Sequence, residues 1–108
     1  MNDNIDIVES TGNVYADLAI PDAAEMQVKA RLAKKISEQI AALKLTQQQA
    51  AGRLGMPQAK VSNMLRGQFR GISEAKMLDC LNKLGNDVRI VIEPAEGTRE
   101  GRTTVEYA

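Results

Sequence analysis

Gln58, Lys60, Ser62, Asn63 and Arg66 put five polar side chains within nine consecutive residues in the middle of the chain. Cations of this kind suit phosphate oxygens, and amides and hydroxyls suit the edges of bases. Val61, Met64 and Leu65 interleave with them at helical spacing, so a helix from about Pro57 to Leu65 has one face to bury and another to present. A polar helix face is ordinarily just solvated, and what lifts this one above that reading is the segment before it. Thr46 and Gln49 have the spacing of a capping box, which predicts a helix starting at Gln47. Ala50, Ala51 and Leu54 share one face of that helix, with two small residues where a neighbour must approach closely. Gly55 follows, free to take the positive φ that turns the chain sharply, and Pro57 suits the first position of the next helix. Gly52 is the weak point, since glycine inside a helix costs about 1 kcal/mol relative to alanine. Two short helices joined in this way have the geometry to set the second into the major groove of DNA. The residues expected to contact it are Gln47, Gln58, Ala59, Lys60, Ser62, Asn63 and Arg66.

The segment Thr46–Gly67, TQQQAAGRLGMPQAKVSNMLRG, resembles the helix-turn-helix of phage-repressor-like (XRE) regulators at Gln47, Ala51, Gly55, Val61 and Met64. It departs from the pattern at Pro57, where the turn commonly supplies a Ser or Thr cap. A wider stretch, from VYADLAIPDA (Val14–Ala23) to LGNDVRIVIEP (Leu84–Pro94), is similar to the HigA-type antitoxins of bacterial toxin-antitoxin pairs. That resemblance implies a transcriptional repressor of a shared promoter that also neutralises a RelE-like ribonuclease toxin. A stand-alone regulator or protein-interaction module on the same framework is the alternative.

Charge supplies an independent argument. The chain holds 14 basic and 14 acidic residues, so its bulk charge makes no case for a nucleic-acid partner. Its distribution does. Residues 29–70 carry nine bases (Lys29, Arg31, Lys34, Lys35, Lys44, Arg53, Lys60, Arg66 and Arg70) against Glu38 alone, a net of +8, whereas residues 1–28 carry −6 and residues 71–108 carry −2. Positive charge is thus concentrated around the two short helices. A dimer making some six to ten phosphate contacts would lose roughly three to five decades of affinity between about 50 and 200 mM salt.

The remaining elements form a scaffold. Asp22 and Glu25 have capping-box character at the head of a long helix, along which Met26, Leu32, Ala33, Ile36, Ile40 and Leu43 recur to about Lys44. Ser73 caps another helix, in which Met77, Leu78, Leu81 and Leu84 are apolar and which Gly85 can end. The period then changes: Val88, Ile90 and Ile92 alternate with Arg89, Val91 and Glu93 before Pro94, the pattern of one half-buried strand. A solitary strand needs a partner for its backbone groups. Residues 87–93 of a second copy can supply it, giving a homodimer with Val88, Ile90 and Ile92 at its interface and two recognition helices facing successive major grooves. Such a dimer reads a near-palindromic operator in double-stranded DNA with half-sites about 34 Å, or about 10 base pairs, apart or a multiple of that. The alternative is pairing within the monomer to Ile5–Val8.

The expected fold is therefore mainly α, a small four- to five-helix repressor-like helix-turn-helix domain with one C-terminal β-strand. An acidic, partly apolar arm (residues 1–20) precedes the DNA-binding domain (21–94), and a polar, disordered tail (95–108) follows. At 108 residues and 44% apolar content the chain has room for one small core. No apolar run reaches the length of a membrane span, and the acidic start lacks the pattern of a signal peptide, which points to the cytoplasm. With no histidine, a single cysteine and no phosphate-binding glycine loop, the chain lacks the parts of a zinc, triad or nucleotide-hydrolysing enzyme. It is expected to be neither an enzyme nor a binder of metals or cofactors. Cys80 is expected to be a packing residue.

Overall fold

The computed structural model of the chain describes residues 22–107, so the expected N-terminal arm and the strand Ile5–Val8 lie outside the described residues. Among the described residues four helices form: α1 (Ala23–Ala42), α2 (Gln47–Leu54), α3 (Gln58–Leu65) and α4 (Glu74–Lys83). The chain divides into two compact units, one running from Lys29 to Arg89 and the other taking in described residues 22–28 and 90–107.

Helix boundaries follow from local chemistry. The capping box at α2 is complete: the Gln49 amide donates to Thr46 Oγ1 at 3.1 Å, and the Thr46 amide donates to Gln49 Oε1 at 2.9 Å. At the head of α4 the Lys76 amide donates to Ser73 Oγ at 3.0 Å. Pro57 falls one position earlier than expected. With ψ at 143° it is extended, and its carbonyl already accepts from the Lys60 and Val61 amides, so it is the N-cap of α3 and not its first helical residue. Glycines in the left-handed region close three of the helices, Gly55 (φ 68°) after α2, Gly67 (φ 91°) after α3 and Gly85 (φ 96°) after α4. In each case the amide of the next residue reaches back to the last turn, as Gln68 does to the Asn63 carbonyl at 2.8 Å.

α1 stops short of Lys44, because Lys44 itself takes the left-handed conformation (φ 57°) and the Leu45 amide closes onto the Ile40 carbonyl at 3.1 Å. Leu43, expected in the core, is consequently turned outward and is 40% exposed.

The core of the Lys29–Arg89 unit sits where α2 packs against α3 and α4. Ile36, Leu54, Val61, Met64, Met77 and Cys80 are its largest fully buried members, and Ala50 and Ala51 supply the small surface that lets α2 approach closely. Met56, Phe69 and Ile72 complete it from the two connections, and periodicity does not reveal them. Leu65 and Leu78 are only half-buried. Cys80 Sγ lies 3.6 Å from Met56 Sδ, and burial pushes its thiol pKa up, as suits a packing residue.

Reciprocal polar contacts tie the ends of α2 and α4. Lys83 Nζ lies 3.4 Å from the Leu54 carbonyl, and Arg53 Nε donates to the Lys83 carbonyl at 3.1 Å, so each C-terminus receives a cation from the other helix. Asp79 holds Lys83 in place at 3.1 Å, and the Lys83 hydrogen bond draws the Asp79 pKa down.

No strand forms among the described residues. The run expected to pair over residues 87–93 lies open, with Ile90 73%, Val91 70% and Ile92 93% exposed. Alternation can mark residues suited to a ladder, but a ladder exists only where a second edge meets the first.

Candidate nucleic-acid interface

Burial orients α3. Val61 and Met64 are fully buried, which fixes one side of the helix to the core. At about 100° per residue, Ala59, Ser62, Asn63 and Arg66 occupy a sector roughly 100° wide on the opposite side, flanked by Gln58 and Lys60. Gln58, Ala59, Lys60 and Arg66 are exposed, and Ser62 and Asn63 are half-buried. Six of the seven residues expected to contact DNA are therefore gathered on one outward surface. Gln47, the seventh, is exposed on the first turn of α2. Pro57 offers no side-chain acceptor to the first amides of α3, in keeping with the missing Ser or Thr.

The outward side chains are not independent. Arg66 Nη1 donates to Ser62 Oγ at 2.8 Å and Arg66 Nη2 to Asn63 Oδ1 at 2.5 Å. The backbone end of this cluster is fixed as well, since Arg66 is the C-cap of α3 and its amide bonds back to the last turn. An arginine that the sequence suggests as a simple phosphate contact is thus part of a side-chain network.

The basic surface is also smaller than the count of charges implies. Lys29 is 2% exposed, and its Nζ donates to the Arg70 carbonyl at 3.0 Å, bracing the segment between α3 and α4. Lys34, Lys44, Arg53, Lys60, Arg66 and Arg70 are exposed. Val88, Ile90 and Ile92, expected at a dimer interface, lie after α4 and are exposed. Among the described residues no cluster of His, Cys, Asp or Glu could hold a metal ion, and no helix is long and apolar enough to cross a membrane.

A capped short helix, a left-handed glycine turn and a second helix with its polar side outward define a helix-turn-helix domain. Residues 14–93 match the family described as a helix-turn-helix domain, and the chain belongs to that family. A solved structure described as an XRE-family transcriptional regulator is 39% identical, with a TM-score of 0.75 over 82% of this chain and 100% of that one, which places this chain's helix-turn-helix in the XRE family. No curated protein matches the chain.

Proposed function

We propose that the chain is a sequence-specific DNA-binding repressor that acts, in the cytoplasm, as the antitoxin of a type II toxin-antitoxin module, without catalytic activity of its own. The carrying observation is the outward face of α3, where Ala59, Ser62, Asn63 and Arg66 stand opposite the buried Val61 and Met64. Rigid anchoring of that helix to a core, with donors on its free side, is what major-groove readout requires. The excess of positive charge in residues 29–70 supports it by favouring the phosphate backbone.

The antitoxin role rests on the HigA-like flanks at Val14–Ala23 and Leu84–Pro94. A RelE-like toxin is the corresponding partner, and the acidic residues 1–28 suit a basic one. The homodimer is part of the same reading. Ile90 and Ile92 are 73% and 93% exposed, and antiparallel pairing of residues 87–93 from two copies would cover them and satisfy their backbone groups.

Selection of bound duplexes from a random pool tests DNA recognition, with a near-palindromic site expected and an unenriched pool contradicting it. A small basic reading frame beside this gene, whose product co-purifies with the tagged chain, is expected for an antitoxin. Its absence would favour a stand-alone regulator. Light scattering should give a dimeric mass, and a monomer at micromolar concentration would reject the strand-paired assembly.

A further inference from the structure

Arg66 reaches two neighbours on the outer face of α3, Ser62 Oγ at 2.8 Å and Asn63 Oδ1 at 2.5 Å. A guanidinium has donors only, so the atom it meets on Asn63 must be the amide oxygen, and the amide nitrogen must point elsewhere. That assignment bears on base reading. Bidentate recognition of adenine by Asn needs both halves of the amide, the oxygen accepting from N6 and the nitrogen donating to N7. With one lone pair of its oxygen taken by Arg66, Asn63 keeps two N–H donors against a single remaining acceptor site on an oxygen already held toward Arg66. Ser62 accepts from Arg66 through its oxygen, so its hydroxyl proton remains to be donated. Arg66 retains the N–H groups that neither bond uses.

The three side chains therefore present more donors than acceptors. In the major groove guanine offers two acceptors, N7 and O6, whereas adenine offers one acceptor beside a donor and cytosine offers a donor. We infer that Arg66 is a positioning residue that holds the amide oxygen of Asn63 and so sets Asn63 to read an acceptor edge, guanine first, in place of adenine. This rests on the reading of the chain as DNA-binding and names the base its central side chains select. The C-cap position of Arg66 fixes the root of the clamp before DNA arrives.

The test is parallel selection from random duplexes with the full chain, Asn63→Ala and Arg66→Lys. Asn63→Ala should flatten one position, identifying the base that Asn63 reads, and the wild type should prefer guanine there. Arg66→Lys keeps the positive charge but lacks the fork that bonds two neighbours at once. It should move the preference at that position toward adenine by roughly tenfold, a change separable from a uniform loss of affinity. Arg66 is exposed, and an unchanged melting temperature establishes that the variant is folded. The inference is overturned if Arg66→Lys weakens all duplexes alike without altering that preference, if the wild type selects adenine there, or if Asn63→Ala flattens no position. A wild type that enriches no sequence would instead defeat the DNA-binding reading beneath it, a distinguishable result.

Discussion

Two glycines three residues apart in the helix-turn-helix should respond to alanine with opposite signs. Gly52 is inside α2, its backbone is not left-handed, and a Cβ built on it meets nothing within 4 Å. Alanine there removes the entropic cost of a helical glycine and should stabilise the protein by about 0.5–1 kcal/mol. Gly55 also has room, since the nearest atom to its Cβ would be Lys83 Nζ at 3.8 Å. Its φ of 68° is the difficulty. Holding an L-residue in that region costs about 1–2 kcal/mol, so Gly55→Ala should destabilise by about that amount. A separation of about 2 kcal/mol corresponds to roughly 8–16 °C between the two melting temperatures for a domain of this size. Thermal unfolding followed by far-ultraviolet circular dichroism measures it, with wild type between the variants. Equal destabilisation by both would mean that Gly52 is needed for a close approach, and a neutral Gly55→Ala would mean that the turn is not left-handed. Either result refutes the geometry on which the placing of α3 depends.

Lys44→Gly relieves a left-handed lysine and should raise stability by about 0.5–1 kcal/mol in denaturant titration; a loss would show that the lysine side chain outweighs its backbone strain. Thr46→Ala removes half of the α2 capping box and should cost about 1 kcal/mol in the same assay. The Asp79 pKa is lowered in the folded chain, so its pairing stabilises near neutrality and is lost as pH falls below the ordinary carboxylate value toward the folded one. Lys83→Met should accordingly lessen the loss of stability on acidification, and an unchanged acid limb would count against the pairing. Cys80 should resist alkylation in the native protein and react promptly in denaturant, since it is buried with a raised pKa. Binding to a selected duplex should fall by roughly three to five decades between about 50 and 200 mM salt if a dimer makes about six to ten phosphate contacts, and a flat salt response would remove the phosphate contribution.

Local signals carried much of the molecule. Thr46 with Gln49, Ser73, Gly55 and Gly85 mark helix ends correctly, because capping and left-handed closure are decided within a few residues. Val61 and Met64 orient α3 for the same reason, and with it six of the expected contact residues. Three features were hidden. Lys44 ends α1 in a conformation that its residue type does not announce, so periodicity alone puts Leu43 in the core, where it is not. Phe69 and Ile72 are buried from an irregular connection, where no period exists to be read. The i to i+4 spacing of Ser62 and Arg66 permits their bond, but lysines and arginines at such spacings usually remain solvated, and which one folds back is decided by the folded surface around it. The strand expected over residues 87–93 illustrates another limit, since pairing is a property of two segments and alternation describes one.

The account stands on the outward face of α3 being the surface that meets DNA. Titrating isotope-labelled protein with its selected duplex, and following backbone amide and side-chain shifts by nuclear magnetic resonance, tests that face directly. The largest changes should fall on Gln58, Ala59, Lys60, Ser62, Asn63 and Arg66, with the side-chain amide of Asn63 among them. Saturable binding that leaves these residues unmoved and shifts another surface would contradict it.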